Sequence, residues 1–360
     1  MEIIQKLTLE SIDLLKKLIE TPSFSGEESH TALIIESWFT HHNIPFKREN
    51  NNIWAYNQFF DESKPNLLLN SHQDTVFPNK GYTHNPFEAI EKDGKIYGLG
   101  SNDAGGCLVS LLAVFTYFYS RKDLKYNLIM VASAEEENSG KNGLNSVVSH
   151  LPHLDCAIIG EPTLMQLAIA EKGLLVLDIL VKGTASHAAH NNTDNPIYNS
   201  LQVINWFKNF SFEKISDVLG PMKMTVSQIE AGKQHNLVPN ECRIVVDIRV
   251  NDCYTNEEVY SIIQDNLSSD KIIITPRSLR QKSSSIPIDH PLVLAGIELG
   301  RETYGSPTLS DQSVLYCQSL KMGPGNSLRS HTADEYIYRN EIEEAIPLYI
   351  QILNKTVIQS

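Results

Sequence analysis

The order of apolar runs along this chain predicts an α/β protein, a sheet flanked by helices, into which a ferredoxin-like module is inserted. Three observations lead there. The short apolar runs NLLLN (66–70), NLIMVAS (127–133) and CAIIG (156–160) alternate with helical stretches at 104–119 and 141–150, the pattern of buried parallel strands joined by crossovers. From Leu174 the order becomes strand, helix, strand, strand, helix, strand, which is the βαββαβ order of a ferredoxin-like unit of about 110 residues. Finally, 41% AVILMFWYC over 360 residues fills cores without disulfide or metal staples, at a length that suits about two domains of ~150 residues each.

In chain order, MEIIQKLTLESIDLLKKLIE spaces its apolar residues as an amphipathic helix and lacks the cationic start and cleavage site of a signal peptide. Ser25-Gly26-Glu27-Glu28 has the S-x-x-E capping-box pattern, so a second helix is expected from there to about His42. Each of the three apolar runs then ends on polar residues: SHQD (71–74), AEEE (134–137) and Glu161-Pro162. In open α/β sheets, ligands bind beyond the C-terminal ends of strands. The small module reads as strand LLVLDILV, a helix from near Pro196, strands KMTVSQIE and ECRIVVDIRV, a helix from Thr255 with Glu258 in capping-box position, and strand KIIIT. The polar run RQKSSS (280–285) leads into IPIDHP and a further helix, and a Gly/Pro-rich loop, GPGNS (323–327), precedes His331. The larger domain is therefore expected over 1–173 and 285–360, with 174–284 inserted into it.

Lys and Arg number 30 against 43 Asp and Glu, a net charge of −13, with no basic cluster that could follow a phosphate backbone. Nucleic acid and anionic membrane are excluded as partners. The longest apolar stretch, Cys107 to Tyr119, is interrupted by Ser110 and Thr116 and falls short of the ~20 residues that span a bilayer. Cys107, Cys156, Cys242, Cys253 and Cys317 are scattered, odd in number and without a C-x-x-C pair, as expected of reduced thiols in a cytoplasmic protein.

Chemistry concentrates at the strand ends. His72 and Asp74 form an H-x-D, Asp103 stands at a glycine-bearing helix start (GSNDAGG), and Glu135, Glu136, Glu137 and Glu161 follow. Like charges gathered at one sheet edge cost free energy unless a cation neutralises them, and zinc accepts imidazole nitrogen and carboxylate oxygen. With His331 and one bridging carboxylate, the inventory suffices for two metals about 3.5–4 Å apart. Each piece by itself has a plain reading: a surface histidine, a solvated acidic run, an aspartate capping a helix.

The motifs SHQDT, GSNDAGG, AEEENSGKNG, IGEPT, SHAAHNNTDNP, HNLVPNECRIVVDIR, LSDQS and GPGNSLRSHTADE, in this order over nearly the whole chain, resemble the zinc-dependent amidohydrolase and exopeptidase family that includes acetylornithine deacetylase, succinyl-diaminopimelate desuccinylase and carboxypeptidase G. The resemblance implies a zinc-hydrolase catalytic domain with a mixed sheet and an inserted dimerisation or lid domain. It makes His72, Asp103 and Glu161 ligands of one zinc and Asp103, Glu137 and His331 ligands of the other, with cobalt able to substitute and the peptide after Asp103 cis. Asp74 would orient the His72 imidazole. Aligning Asn138-Ser139-Gly140 with the family's small-residue turn makes Glu136 the general base, while a slip of one residue would make Glu135 the base and Glu136 a ligand.

The implied reaction is amide hydrolysis by a water bridging the metals, with Glu136 taking its proton and returning it to the leaving amine. His187 in TASHAAH would donate to the developing oxyanion, in relatives across a homodimer, although as a residue it is only a histidine after a strand. Asn236 and Arg249 match positions that hold a substrate carboxylate, and Gly325 lies in a loop whose N–H groups could do the same. Arg249 could equally pair with Asp247, GPGNS could be a tight turn, and His190 has no assignable counterpart. Many relatives carry a lysine shortly after the bridging aspartate; here the chain runs Asp103-Ala104-Gly105-Gly106. The expected activity is deacylation of an N-acyl amino acid, N-acetylornithine in arginine synthesis first, with N-succinylornithine, N-acetylcitrulline, succinyl-diaminopimelate and dipeptides as alternative substrates.

Overall fold

The strand Asn66–His72 is buried along its whole length and lies between Asn127–Ser133 and Cys156–Ile159, both parallel to it. Helices and loops cover both faces, so these strands are continuous apolar runs rather than alternating ones. The flanks make the sheet mixed. Asn127–Ser133 pairs antiparallel with Asn52–Tyr56, and that strand with Lys47–Glu49. On the other side Cys156–Ile159 pairs parallel with Gln318–Lys321, which meets Leu167–Glu171 antiparallel. Gln318–Lys321 carries too little apolar pattern to be foreseen as a central strand.

This computed structural model describes residues 2–358 and divides the chain into two compact units, Met1–Ile169 with Ser285–Tyr304 and Ser310–Ser360, and Ala170–Ser284 with Gly305–Leu309. In the first unit, helix Gly106–Phe118 is the central cover of the sheet, with Leu108, Leu111, Leu112 and Phe115 fully buried. Helix Glu2–Ile19 turns Leu7, Ile12, Leu15 and Ile19 into the same core, and Arg339–Thr356 adds Ile342, Ile346, Tyr349 and Leu353. The helix expected over 141–150 is the short turn Leu144–Val148.

The capping box at Ser25 does not form. The second helix is Ser29–His41, and its N-cap, Glu28, makes no side-chain cap bond. Instead the Ser25 hydroxyl donates to Asp74 Oδ2 at 2.7 Å, and Glu28 Oε1 accepts the backbone N–H groups of Gly26 and Glu135. A local cap is a weak bond to a neutral partner; a buried carboxylate and the Glu135 amide offer stronger ones.

The second unit is an antiparallel sheet in the order Lys223–Ala231, Glu241–Val250, Gly173–Lys182, Ile272–Pro276. Its central strands alternate buried and half-exposed residues, and one face packs on helices Pro196–Asn209 and Asn256–Leu267 through Val203, Phe207, Val259 and Ile263. The second of these helices starts as expected, with Thr255 and Glu258 exchanging capping-box hydrogen bonds. Among the described residues no helix is long and apolar enough to cross a membrane.

Candidate metal centre

His72 closes the central strand almost fully buried, and its Nε2 faces Asp103 Oδ1 at 3.3 Å and Glu161 Oε1 at 4.0 Å. Glu161 stands just past the end of Cys156–Ile159 and the triplet just past Asn127–Ser133. The three strands run parallel, so all these side chains arrive at one edge.

Asp103 comes from the opposite direction, in the wide turn Ser101–Gly105 before the central helix, at φ −121° and ψ 97°. Its peptide bond to Ala104 is cis, as the resemblance implies. The backbone N–H groups of Asn102 and Asp103 both donate to Glu335 Oε1, at 2.8 and 2.9 Å. So held, the Asp103 carboxylate turns Oδ1 to His72 and Oδ2 to His331 Nε2, 3.5 Å away. His331 Nε2 also lies 3.0 Å from Glu137 Oε2.

Asp74, the residue expected to orient His72, faces the imidazole most closely with its main chain. His72 Nδ1 lies 2.9 Å from the Asp74 carbonyl oxygen and 3.5 Å from Oδ1, so Nδ1 is the donor and Nε2 is left for the site. The Asp74 carboxylate acts elsewhere, accepting the backbone N–H groups of Glu136 at 3.1 Å and Glu137 at 3.0 Å, besides the Ser25 hydroxyl. One acid thus positions both the histidine and the two glutamates. Glu135 departs. At φ 52° its carboxylate turns back to accept the N–H and Nδ2–H of Asn142, at 3.1 and 2.9 Å, leaving Glu136 and Glu137 toward the imidazoles.

Burial pushes the carboxyls of Glu136 well up, of Glu137 up and of Glu161 up to about 8, and repulsion among the acids adds to it. Hydrogen bonding to Glu137 lifts His331 to about 9. For Asp103, burial works upward but is outweighed by hydrogen bonding and attraction to His72, which hold it below the ordinary range. Protons crowd onto such a cluster of buried acids, and a divalent cation would displace them. The donor set fits: imidazole nitrogens with carboxylate oxygens are the mixture zinc takes, an acid with one oxygen toward each histidine can bridge, and His72, Asp103 and Glu137 each offer an atom within 4.8 Å of the others.

The GPGNS loop packs against this centre. Gly325 has φ +91°, and a Cβ there would meet Asn102 Oδ1 at 2.6 Å, while its carbonyl accepts the Leu164 N–H. The loop is a support for the turn that bears Asp103. His187, Asn236 and Arg249 belong to the second unit. There Ser186–His187 pairs with Leu237–Val238, and the Ala188 N–H donates to Asn236 O at 3.0 Å, which sets His187 and Asn236 side by side. Arg249 stands near the end of another strand, Glu241–Val250. Its guanidinium is engaged by Asp247, Nε to Oδ1 at 2.9 Å and Nη2 to Oδ2 at 3.2 Å, the pairing that the sequence left open.

Sequence reasoning missed four supporting groups: Ser25, Glu28, Glu335 and Asp311. Asp311 Oδ2 accepts from Asn70 Nδ2 at 2.8 Å and Ser133 Oγ at 2.6 Å and so ties two strand ends together. Glu335 had a signal, since it closes the motif GPGNSLRSHTADE that carries His331.

The chain is similar to known proteins. The profile described as "Peptidase family M20/M25/M40" matches residues 68–356. A succinyl-diaminopimelate desuccinylase of Wigglesworthia glossinidia brevipalpis is 30% identical over 261 residues, covering 67% of this chain and 68% of that protein. An acetylornithine deacetylase of Shigella sonnei is 27% identical over 377 aligned positions, covering 95% and 97%. An M20 family metallo-carboxypeptidase from Sulfolobus solfataricus superposes with a TM-score of 0.75 at 16% identity, covering 96% of this chain and 99% of its own, which shows a shared fold.

Proposed function

The chain belongs to peptidase family M20/M25/M40 and is an amide-bond hydrolase, and from that premise we propose that it deacylates an N-acyl amino acid, N-acetylornithine first, with two zinc ions. The observation that carries the two-metal reading is the Asp103 carboxylate, one oxygen toward His72 and the other toward His331. His72, Asp103 and Glu161 would hold one ion, and Asp103, Glu137 and His331 the other. When bound, such a pair polarises the scissile carbonyl and acidifies water.

Glu136 is the general base. It takes a proton from the attacking water and returns it to the leaving amine; a carboxyl whose proton affinity burial has raised suits both transfers. Asp74 keeps Glu136 aimed through its main-chain N–H. The developing oxyanion needs donors, and His187 is our choice for one. Asn236 and Arg249 are our choice for the substrate carboxylate. The reading includes a homodimer, with His187 acting in the partner's site and the second unit, whose strand order is that of a ferredoxin-like module, as the dimerising domain.

In the family that the motifs resemble, deacylases tend to have glutamate and peptidases aspartate at the position of Glu161, which supports a deacylase. Succinyl-diaminopimelate is the second reading, from the similarity to desuccinylases. The test is amine release by purified, zinc-loaded protein from N-acetyl and N-succinyl derivatives of ornithine, citrulline and diaminopimelate, with dipeptides alongside. N-acetylornithine is expected to have the highest kcat/KM. Preference for N-succinyl-diaminopimelate would replace the first reading by the second, and turnover of dipeptides alone would remove both.

A further inference from the structure

The first unit carries a second cluster of metal-ligating side chains, built from none of the strand-end residues. Glu10 projects from helix Glu2–Ile19, and His41 and His42 close the helix Ser29–His41. Each imidazole faces its own carboxylate oxygen: His42 Nε2 is 3.5 Å from Glu10 Oε2, and His41 Nε2 is 3.9 Å from Glu10 Oε1. Glu10 Oε2 and His42 Nε2 are both buried, and neither has a hydrogen-bond partner.

Buried polar atoms are almost always paired, so two that face each other unpaired need an explanation. A direct N–H···O bond would bring them to about 2.7–3.2 Å. Two ligands on a tetrahedral zinc, each at about 2.1 Å from the ion, stand about 3.4 Å apart. The observed 3.5 and 3.9 Å fit an ion between the side chains better than a hydrogen bond between them. The His42 ring is steadied against Trp38, with centroids 4.5 Å apart. An open cleft lined by Glu10, Asp13, Trp38 and His41 adjoins the group and gives an ion and its remaining water a way in. One cation already competes: Lys6 Nζ lies 3.7 Å from Glu10 Oε1, on an exposed side chain that can swing away.

We propose that Glu10, His41 and His42 form a third zinc site, open to solvent at its fourth position, which ties the first helix to the end of the second.

The test is zinc uptake by full-length, metal-stripped protein, titrated against a chromogenic chelator at neutral pH. Wild type is expected to take up one equivalent more than His41→Ala, a change at an exposed side chain that leaves the fold intact, and one more than Glu10→Gln. His72→Ala, which loses a strand-end ligand, should retain that extra equivalent. Lys6→Met should tighten it several-fold by removing the competitor for Glu10. Equal uptake by wild type, His41→Ala and Glu10→Gln would overturn the proposal, as would loss of the extra equivalent in His72→Ala.

Discussion

Replacing Glu335 by alanine should unsettle the metal centre without touching a ligand. Glu335 is 1% exposed, and its Oε1 is the shared acceptor for the backbone N–H groups of Asn102 and Asp103. Removing it leaves two buried donors unpaired, at about 1–3 kcal/mol each, so a loss of about 2–6 kcal/mol is expected against a usual total of about 5–15 kcal/mol. Glu335→Gln keeps an oxygen of the same reach and should recover most of that. The Asp103 carboxylate hangs on the same two peptides, so zinc affinity in Glu335→Ala should fall about 10- to 100-fold, the usual effect of losing a group that orients a ligand. Urea unfolding of metal-stripped protein measures the first quantity, and chelator competition the second. If Glu335→Ala unfolds at the wild-type urea midpoint and binds zinc as tightly, Glu335 does not hold the Asp103 turn.

Glu136→Gln should lower turnover by about 10² or more with zinc content unchanged, Glu137→Gln should lose zinc, and Glu135→Gln should do neither, because its carboxylate serves Asn142; metal analysis in which Glu136→Gln loses a zinc and Glu137→Gln retains both would shift the triplet by one. His187→Ala should cost about 10²–10³ in turnover, and mixing it with Glu136→Gln should restore activity through subunit exchange; a fully active monomer, or mixtures that stay dead, would return His187 to a structural role. The His290 Nδ1 accepts the Leu292 N–H as a helix N-cap, and burial holds its pKa below the ordinary 6.5. The unfolded chain therefore binds that proton more readily, so stability from this group is present above pH 6.5 and is lost as pH falls through the folded value. His290→Asn caps without titrating and should flatten that part of the stability–pH curve, by up to about 1 kcal/mol; an unchanged curve would show that the cap survives protonation.

The sheet and the place of the site were legible in the sequence for one reason. A strand covered on both faces is apolar along most of its length, so NLLLN, NLIMVAS and CAIIG mark both the strands and the points where the chain leaves them. Whatever polar residue follows such a run stands at the sheet edge, and so His72, Glu136, Glu137 and Glu161 could be named together. Tertiary structure decided what each carboxylate does there, because hydrogen-bond partners come from distant segments that no local spacing encodes. Ser25 and Glu28 spell a capping box, yet they serve Asp74 and Glu135 across the unit. Glu135, Glu136 and Glu137 are one residue type in a row, and only the αL turn at Glu135 and the contact of Glu135 with Asn142 tell them apart. Arg249 could clamp a carboxylate or pair with Asp247, its neighbour on the same face of one strand, and only the side-chain geometry shows the guanidinium on Asp247.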